Sequence, residues 1–309
     1  MSEPILPPTR ANSCALIITY NADSEFFERL KRISAQFSSV VIVDNGSTQG
    51  FQRQLQQYCQ KTTPTTLTII QNASNKGIAT ALNQGFKFAL AQQSTWVISF
   101  DQDTLVYPEL LPELSAIYDQ NTLKPVIIGC NYFHEAFNRP AIIPQAQQKY
   151  VARKTLITSG TLILAKLPTL IGFFREDYFI DSVDHEFSLR ARQHGYALWV
   201  STKMLMRHTI GRSTTFHRPA LFQIPEHSAL RKYYITRNCL VTVFNYYRQE
   251  PLWCGKQLVR LTVEFLTVMF YEAAKTQKIA AMGLGTIHAC TGKMGELKNN
   301  AWIGENHDR

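Results

Sequence analysis

The chain of 309 residues is 45% hydrophobic and 18% charged, which is typical of a folded globular protein and excludes a disordered one. Its formal net charge of +9 indicates an anionic partner, for which a nucleotide, a nucleic acid and an acidic lipid are all candidates. The N-terminal segment is proline-rich without an apolar core, and no apolar run reaches the roughly 18 residues of a membrane span, so we expect neither a secretory signal nor a spanning helix. The six cysteines form no Cys-x-x-Cys pair, which predicts reduced thiols in a cytoplasmic protein.

Short apolar runs alternate with segments of helical spacing along the first hundred residues. Four of the runs are predicted strands, at residues 14–20, 40–43, 67–70 and 96–100. Helical spacing follows the first and third of them, at residues 24–37 and 78–91. This alternation predicts an α/β fold with a Rossmann-like, mostly parallel central sheet flanked by helices. Neither a Gly-x-Gly-x-x-Gly sequence nor a Walker-type phosphate loop is found, so a dinucleotide fold and a P-loop are not supported.

Polar residues follow each of these strands. In chain order they are Thr19, Tyr20 and Asn21, then Asp44 and Asn45, then Asn75 and Gly77, then Asp101, Gln102 and Asp103. The carboxyl ends of parallel strands meet at one edge of a sheet, so we expect these residues to converge there. Asp101 and Asp103 could bind a hard divalent cation through oxygen, and that cation could hold a diphosphate. The alternative is that each group only caps a turn or a helix.

Four ordered blocks, at residues 18–21, 41–47, 75–85 and 101–103, together resemble the nucleotide-sugar half of the family 2 glycosyltransferases with a GT-A fold. The Asp-Gln-Asp form of the last block is similar to the rhamnosyltransferase-like branch of that family. The resemblance implies that Asp101 and Asp103 face the diphosphate and its metal, with Asp103 as the direct ligand. It also implies a donor site that includes Thr19, Tyr20, Asn21, Asp44, Asn45, Asn75, Gly77 and Gln102.

Two later segments are candidates for the acceptor side. Ser159-Gly160 lies in an apolar strand, where a glycine marks either a bulge or the close approach of a ligand; the resemblance favours a position beneath the donor sugar. Acids at the start of the helix after residue 182 are ordinary capping residues, but they also resemble the family's acidic block. By that resemblance Asp184 is the catalytic base and Glu186 binds the acceptor. Val183 replaces the first acid of the block, which leaves the division of labour among Asp181, Asp184 and Glu186 open.

His208 and Arg237 complete the predicted site. His208 follows the acidic block at the distance where the family places a metal-binding histidine, although a lone histidine is often only a structural hydrogen-bonding residue. Two carboxylates and an imidazole suit Mn²⁺ or Mg²⁺, and spacing does not choose between them. Arg237 lies on an apolar helical stripe and needs a partner, either an internal one or, as the resemblance suggests, the leaving diphosphate, with Arg231 as a second candidate.

Positive charge is concentrated toward the C-terminus. Residues 203–260 contain ten lysines or arginines and two acids, which would attract anionic lipid at the inner face of a membrane or a polyprenyl-diphosphate-linked acceptor. The apolar segment 252–274 is interrupted by charges, so it suits an interfacial helix, a homodimer contact or ordinary core packing better than a membrane span.

We therefore predict a GT-A domain over residues 1–225, with a nucleotide-sugar half at 12–110 and an acceptor half at 111–225, followed by a C-terminal helical extension at 226–309. The predicted activity, by resemblance, is inverting transfer of L-rhamnose from dTDP-rhamnose to a surface polysaccharide of O-antigen or capsule type, or to its lipid-linked precursor. Alternatives are a UDP-hexose donor, and a non-enzymatic basic protein that binds nucleic acid or acidic lipid. Carboxylates at successive strand ends repel a phosphate backbone, which argues against nucleic acid.

Overall fold

The computed structural model describes residues 4–61, 65–134, 139–143, 148–208 and 225–298. Within these ranges one mixed sheet is flanked by helices and followed by three longer helices. The strands are β1 (Ser13–Thr19), β2 (Ser39–Asp44), β3 (Thr66–Gln71), β4 (Trp96–Asp101), β5 (Leu105–Val106), β6 (Ile127–His134), β7 (Arg139–Pro140), β8 (Tyr150–Arg153), β9 (Thr161–Leu164) and β10 (Leu198–His208). The helices are α1 (Phe26–Ser34), α2 (Gln49–Lys61), α3 (Ile78–Ala91), α4 (Leu110–Gln120), α5 (Leu167–Ile171), α6 (Val183–Gln193), α7 (Ala229–Tyr246), α8 (Pro251–Tyr271) and α9 (Lys275–Thr291).

The sheet joins a parallel part to a mixed part. Its strand order is β3-β2-β1-β4-β9-β6-β10-β5, with β7 beside β6 and β8 beside β10. The parallel pairing predicted for the first four strands is confirmed. In the second half β6 and β10 are parallel, whereas β9 runs antiparallel to both β4 and β6. Because β9 is antiparallel to β4, it begins beside the carboxyl end of β4, and the residues that precede β9 lie next to Asp101.

Alternating strand residues form the core on both faces of the sheet. On one face Leu16 and Val41 pack with apolar residues of α3 and α6. On the other face Ile17 and Ile42 pack with residues of α1, α2 and α4. The period of two in a strand explains this division, since successive side chains point to opposite faces. The strands of the parallel half are therefore mostly apolar, with Thr68 in β3 and Ser99 in β4 as polar exceptions, and polar side chains are concentrated where the strands end.

Helix α3 begins at a glycine that no other residue can replace without strain. Gly77 has a φ of +81°, and an ideal Cβ on it would lie 2.6 Å from the carbonyl oxygen of Phe179. The N–H of Ile78 donates to that same carbonyl oxygen at 2.7 Å. The start of α3 is thus joined directly to the segment that precedes α6.

The three C-terminal helices pack on one another and on α6. Among the described helices, none combines the length and the apolar character that crossing a bilayer requires.

Replacement of Gly77 by alanine should lower the free energy of unfolding by more than the same change at Gly195. Both residues have a φ slightly above +80°, but a Cβ on Gly195 would meet nothing within 4 Å. We expect Gly195→Ala to cost about 1–2 kcal/mol from the left-handed backbone alone. The clash with Phe179 should add about 1–3 kcal/mol to the cost of Gly77→Ala. Urea unfolding of the two variants measures the difference, and equal losses would contradict this account.

Candidate active site

Two adjoining cavities open at the edge of the sheet where β1, β2 and β4 end. The larger has a volume of about 540 Å³ and the smaller about 240 Å³. Four residues are common to the linings of the two cavities and form the wall between them: Ile78, Asp101, Ile180 and Arg231. Asp101 and Arg231 therefore bring one negative and one positive side chain to the junction of the two cavities.

The smaller cavity collects six of the ten residues predicted to bind the donor: Tyr20, Asn45, Asn75, Gly77, Asp101 and Gln102. Side-chain amides join the loops that carry them. The backbone N–H of Tyr20 donates to Oε1 of Gln102 at 2.8 Å, and the Asn45 amide donates to Oδ1 of Asn75 at 2.9 Å. The half-exposed ring of Tyr20 and these amides offer a flat apolar surface and hydrogen-bonding groups together.

Three predicted donor residues, Thr19, Asn21 and Asp44, are not among the residues that line the two cavities, and their contact with a donor stays a prediction. Thr19 and Asp44 are completely buried, and the Asp44 carboxylate accepts hydrogen bonds from Thr19 Oγ1 at 3.1 Å and from Gln52 Nε2 at 3.0 Å. Asn21 is exposed, but its Oδ1 accepts from the backbone N–H of Thr48 at 2.9 Å. In this structure Thr19, Asn21 and Asp44 stabilise the turn after β2 instead of lining the site.

Ser159 and Gly160 support the Asp101 turn from beneath. Ser159 Oγ lies 2.6 Å from the Thr104 hydroxyl and accepts from the backbone N–H of Asp101 at 3.2 Å. Gly160 has a φ of +72°, and a Cβ there would lie 2.5 Å from Met206 Sδ. Both residues are buried and line neither cavity, and their contact with the acceptor stays a prediction. The neighbouring Thr158 lines the larger cavity.

The Asp101 turn supplies two of the three predicted metal ligands. Asp101 and Asp103 are half-buried and present carboxylate oxygens, which Mn²⁺ and Mg²⁺ prefer. His208 is the last residue of β10, and its side chain lies outside the described part of the chain. Within that described part no group of three or more His, Cys, Asp or Glu residues is arranged to hold a metal. Asp101 lines both cavities, whereas Asp103 is not among the residues that line either of them, so the metal-binding role of the pair stays a prediction.

The three acids before and within α6 have different surroundings. Glu186 is buried, with an oxygen 2.8 Å from Nη2 of Arg190 and another that accepts from the Tyr246 hydroxyl at 3.0 Å. Its predicted contact with the acceptor is therefore corrected to an internal role. Asp181 lines the larger cavity and pairs with Arg231, whose Nε lies 3.4 Å from Oδ2.

Asp184 also lines the larger cavity, and no lysine or arginine of the described residues forms an ion pair with it. One of its carboxylate oxygens accepts from the backbone N–H of His185 at 2.7 Å. Burial and the negative charge of Asp184 raise the pKa of Tyr132, which lines the same cavity. Of the three acids, Asp184 is thus the one available to a substrate hydroxyl.

Arg237 lies inside the protein, which corrects its predicted contact with the diphosphate. It is completely buried, and its guanidinium donates to the carbonyl oxygens of Gly295 at 2.7 Å, Tyr178 at 3.1 Å and Asp177 at 3.2 Å. The adjacent Asn238 amide donates to three further carbonyl contacts, on Tyr178, Ile180 and Asp181, at 2.8, 2.6 and 3.1 Å. The two residues anchor the backbone of residues 177–182, here named the 177–182 segment, which leads into α6.

Several residues of the larger cavity are not singled out by the sequence, among them Tyr132, Thr158, His227 and Arg260, and Arg231 is only a second candidate there. Tyr132 lies in β6, whose sequence carries no turn or charge signal at its position. The four-residue spacing of Arg231 from Ile235 and Cys239, which line the same cavity, would have placed it on the cavity side of α7. Burial and the positive charges of Arg231 and Lys232 lower the pKa of His227 to about 3, so this imidazole is neutral at physiological pH.

Comparisons with known proteins agree with this geometry. The family model described as glycosyl transferase family 2 matches residues 14–179, more than half of the chain. The chain belongs to this family. The dTDP-rhamnosyl transferase RfbF of Shigella flexneri is 28% identical over 244 residues, which cover 75% of this chain and 79% of RfbF. The protein is therefore a glycosyltransferase similar to rhamnosyltransferases, and the non-enzymatic alternative is excluded.

Solved structures show the same GT-A fold. The crystal structure of TarS 1-349 from S. aureus matches with a TM-score of 0.58 and 17% identity, over 90% of this chain and 80% of that one. The mannosyltransferase PcManGT from Pyrobaculum calidifontis, in complex with GDP-Man and Mn²⁺, matches with a TM-score of 0.55 and 15% identity, over 95% and 79% of the two chains. The predicted fold class is thus confirmed for this glycosyltransferase.

Replacement of Arg237 by glutamine should destabilise the protein far more than the same change at Arg231 on the same helix. Arg237→Gln removes three hydrogen bonds from a buried charged group, although the carbonyl oxygens of Tyr178 and Asp177 keep other donors. Hydrogen bonds that involve a charged group contribute about 1.5–3 kcal/mol each, so we expect a loss of about 3 kcal/mol or more. Arg231 is partly exposed and forms an ion pair with Asp181 near the surface, where ion pairs contribute little, so its loss should cost less. Chemical denaturation measures both values. Similar losses would contradict the internal role of Arg237.

Proposed function

We propose that this glycosyltransferase is an inverting rhamnosyltransferase. It would move L-rhamnose from dTDP-rhamnose to a saccharide acceptor of a surface polysaccharide, of O-antigen or capsule type, or to its lipid-linked precursor. One observation carries the proposal: Asp101 lines both cavities, and Asp184 lines the larger one, so a diphosphate-side acid and an acceptor-side acid face one continuous space. The similarity to RfbF, a dTDP-rhamnosyl transferase by name, supports the choice of donor.

The smaller cavity would bind the nucleotide. The ring of Tyr20 can pack against the base, and the amides of Asn45, Asn75 and Gln102 can hydrogen-bond to its polar edge and to the ribose. A UDP-hexose donor remains the alternative of the same class, since the S. aureus TarS structure contains UDP-GlcNAc.

A divalent cation would be held by Asp101 and Asp103, with His208 as a further predicted ligand. When bound, such a cation supplies Lewis-acid stabilisation of the charge that develops on the departing diphosphate. GalNAc-T7 and PcManGT, which share the fold, were both crystallised with Mn²⁺, and this supports a divalent cation for the present protein.

Asp184 would act as the general base. As the acceptor hydroxyl oxygen forms its bond to the anomeric carbon, the bond from that carbon to the phosphate oxygen breaks on the opposite face of the sugar. The hydroxyl proton passes to the Asp184 carboxylate, and the diphosphate leaves with the bonding electron pair. Inversion at the anomeric carbon follows from this single displacement.

Arg231, instead of Arg237, would provide the protein's positive charge beside the leaving group. It lies in the wall shared by the two cavities, and its ion pair with Asp181 orients the guanidinium there. A guanidinium matches the geometry of phosphate oxygens and stays protonated throughout the reaction. Asp181 would therefore be a positioning residue, with Asp184 as the base.

The remaining features of the proposal concern place and assembly. The domain boundary near residue 225, a cytoplasmic location, peripheral contact with the inner face of a membrane, and a homodimer all stay predictions. Residues 225–228 lead directly into α7, so the predicted extension corresponds to α7, α8 and α9.

Asp184→Asn should abolish turnover while leaving donor binding intact. We expect kcat for transfer from dTDP-rhamnose to fall by about 10²–10⁴-fold, the range typical of a lost general base, with the donor Kd unchanged within about twofold. Asp181→Asn is the matched control and should lose less, because its carboxylate only orients Arg231. The assay includes UDP-GlcNAc and GDP-mannose as competing donors. If UDP-GlcNAc has the highest kcat/KM, the donor assignment is wrong; if Asp184→Asn retains turnover, the base is another residue.

Nucleotide and metal should stabilise the protein together. Binding to the folded state raises Tm, so dTDP with Mn²⁺ should give a larger thermal shift than either alone. Asp103→Asn should lose the part of the shift that depends on Mn²⁺. Arg231→Gln should reduce the shift with dTDP but not the shift with dTMP, which lacks the second phosphate. A loss of equal size with both nucleotides would show that Arg231 supports the fold and not the diphosphate.

A further inference from the structure

The acids of the three C-terminal helices are all buried. From the start of α7 to the end of α9 the acidic residues are Glu250, Glu264 and Glu272, and none is more than 8% exposed. Each is paired with cations inside the protein. Glu250 contacts Lys154 and Arg192 at 2.6 Å, Glu264 contacts Lys232 at 3.2 Å, and Glu272 contacts Lys232 and Lys278 at 2.8 Å.

The exposed charges of these helices are consequently all positive. They belong to Arg248, Lys256, Arg260 and Lys275. An outer surface with one sign of charge creates a potential that attracts anions and repels a copy of itself. The sequence shows the positive excess, but only the burial of the three acids shows that the helices themselves expose no acid; the exposed acids Glu226 and Glu296 lie just before α7 and just after α9.

Helix α8 adds a row of exposed apolar side chains to this surface. Leu252 is 76% exposed, Val259 63% and Phe270 60%. Their separations of seven and eleven residues correspond to about two and three helical turns, so they lie on one side of the helix with Lys256 among them. We name the surface formed by Leu252, Lys256, Val259 and Phe270 the α8 outer face. Cys254 and Val268, on the opposite side, are buried.

The same helix forms part of the larger cavity. Gln257, Arg260, Leu261 and Glu264 of α8 line it together with Asp184. Arg260 is also exposed at the outer surface, so the rim of the cavity lies close to the α8 outer face. Whatever covers this face would also lie at the entrance to the cavity.

We propose that the α8 outer face docks on an anionic lipid surface. Apolar side chains on one side of a helix, flanked by lysine and arginine, suit a helix that lies in the plane of a bilayer interface.

A second copy of this chain fits the α8 outer face less well. A two-fold dimer would place the same face against itself and bring the cations of both chains together without an acid between them. Docking stands on these surface features alone. Its consequence for the acceptor, delivery of a lipid-linked saccharide to the cavity, rests on the proposed function.

Vesicle flotation of the full chain tests the docking. The probe is vesicles of phosphatidylglycerol and phosphatidylcholine, compared with vesicles of phosphatidylcholine alone, at low salt and at about 0.5 M salt. We expect the wild-type protein to bind the anionic vesicles at least about tenfold more tightly than neutral ones, and to be released by salt. Val259→Glu combined with Phe270→Glu should reduce that binding by about tenfold or more.

The matched control combines Leu123→Glu with Leu170→Glu, which are 69% and 55% exposed and lie outside the three helices. This pair adds the same negative charge and should float like the wild type. Tm and far-UV circular dichroism confirm that both double variants are folded. If both double variants lose vesicle binding equally, the loss comes from net charge alone and the assignment of binding to the α8 outer face is wrong. If the wild type does not bind anionic vesicles, the docking proposal itself is wrong.

Two further measurements separate the docking from its alternatives. Light scattering measures whether the wild-type protein is a dimer and whether the Val259 and Phe270 changes dissociate it. If they do, and the wild type does not bind vesicles, the α8 outer face is a contact between two copies of this chain and the lipid proposal is wrong. Asp184→Asn should still float with anionic vesicles, whereas the Val259 and Phe270 variant should still hydrolyse or transfer from the nucleotide sugar in solution. A failed docking thus leaves the proposed transfer reaction untouched, and a failed transfer leaves the docking result intact.

Discussion

The hydrogen bonds from Arg237 and Asn238 to the 177–182 segment are the interaction on which the site depends. This segment has left-handed backbone at Phe179, Asp181 and Ser182, with φ of +66°, +63° and +60°. Such conformations cost of order 1–3 kcal/mol each and persist only where the surroundings impose them. Five hydrogen bonds from the two buried side chains, together with the bond from Ile78 to Phe179, provide that support. Side chains of α7 therefore fix the start of α6, and with it the position of Asp184.

The position of Asp101 at the junction of two cavities follows from sheet topology. Parallel β1, β2 and β4 bring the nucleotide-side loops to one edge, and antiparallel β9 brings Ser159 under the turn that carries Asp101. The turn is therefore held from below by buried hydroxyl groups, and its Asp101 lines both cavities. A rigid turn suits a diphosphate site, because preorganised groups stabilise developing charge without reorganising during the reaction.

The C-terminal helices separate their charges by burial. Lys232, Glu264, Glu272 and Lys278 form a chain of buried ion pairs between α7, α8 and α9, and burial of such charges requires that each one be paired. Because Glu250, Glu264 and Glu272 are buried and paired, the exposed charges of the helices themselves are positive, whereas Glu226 and Glu296 beside the helices are exposed acids. Arg231 is the neighbour of Lys232 in α7 and lies in the wall of the two cavities. The buried ion pairs of Lys232 thus hold the part of α7 that carries Arg231.

The sequence by itself determined the parallel half of the sheet, the strand ends that carry Tyr20, Asn45 and Asp101, and the acidic segment of α6, since hydrophobic periodicity and turn residues are local signals. It could not determine which polar side chain at a strand end points into a cavity and which is used to hold a turn, as the contrast between Asn45 and the fully buried Asp44 shows. Only the tertiary structure decided that Arg231 faces the cavities while Arg237 lies inside, because both are arginines on one helix. Their roles differ only through what packs against each face.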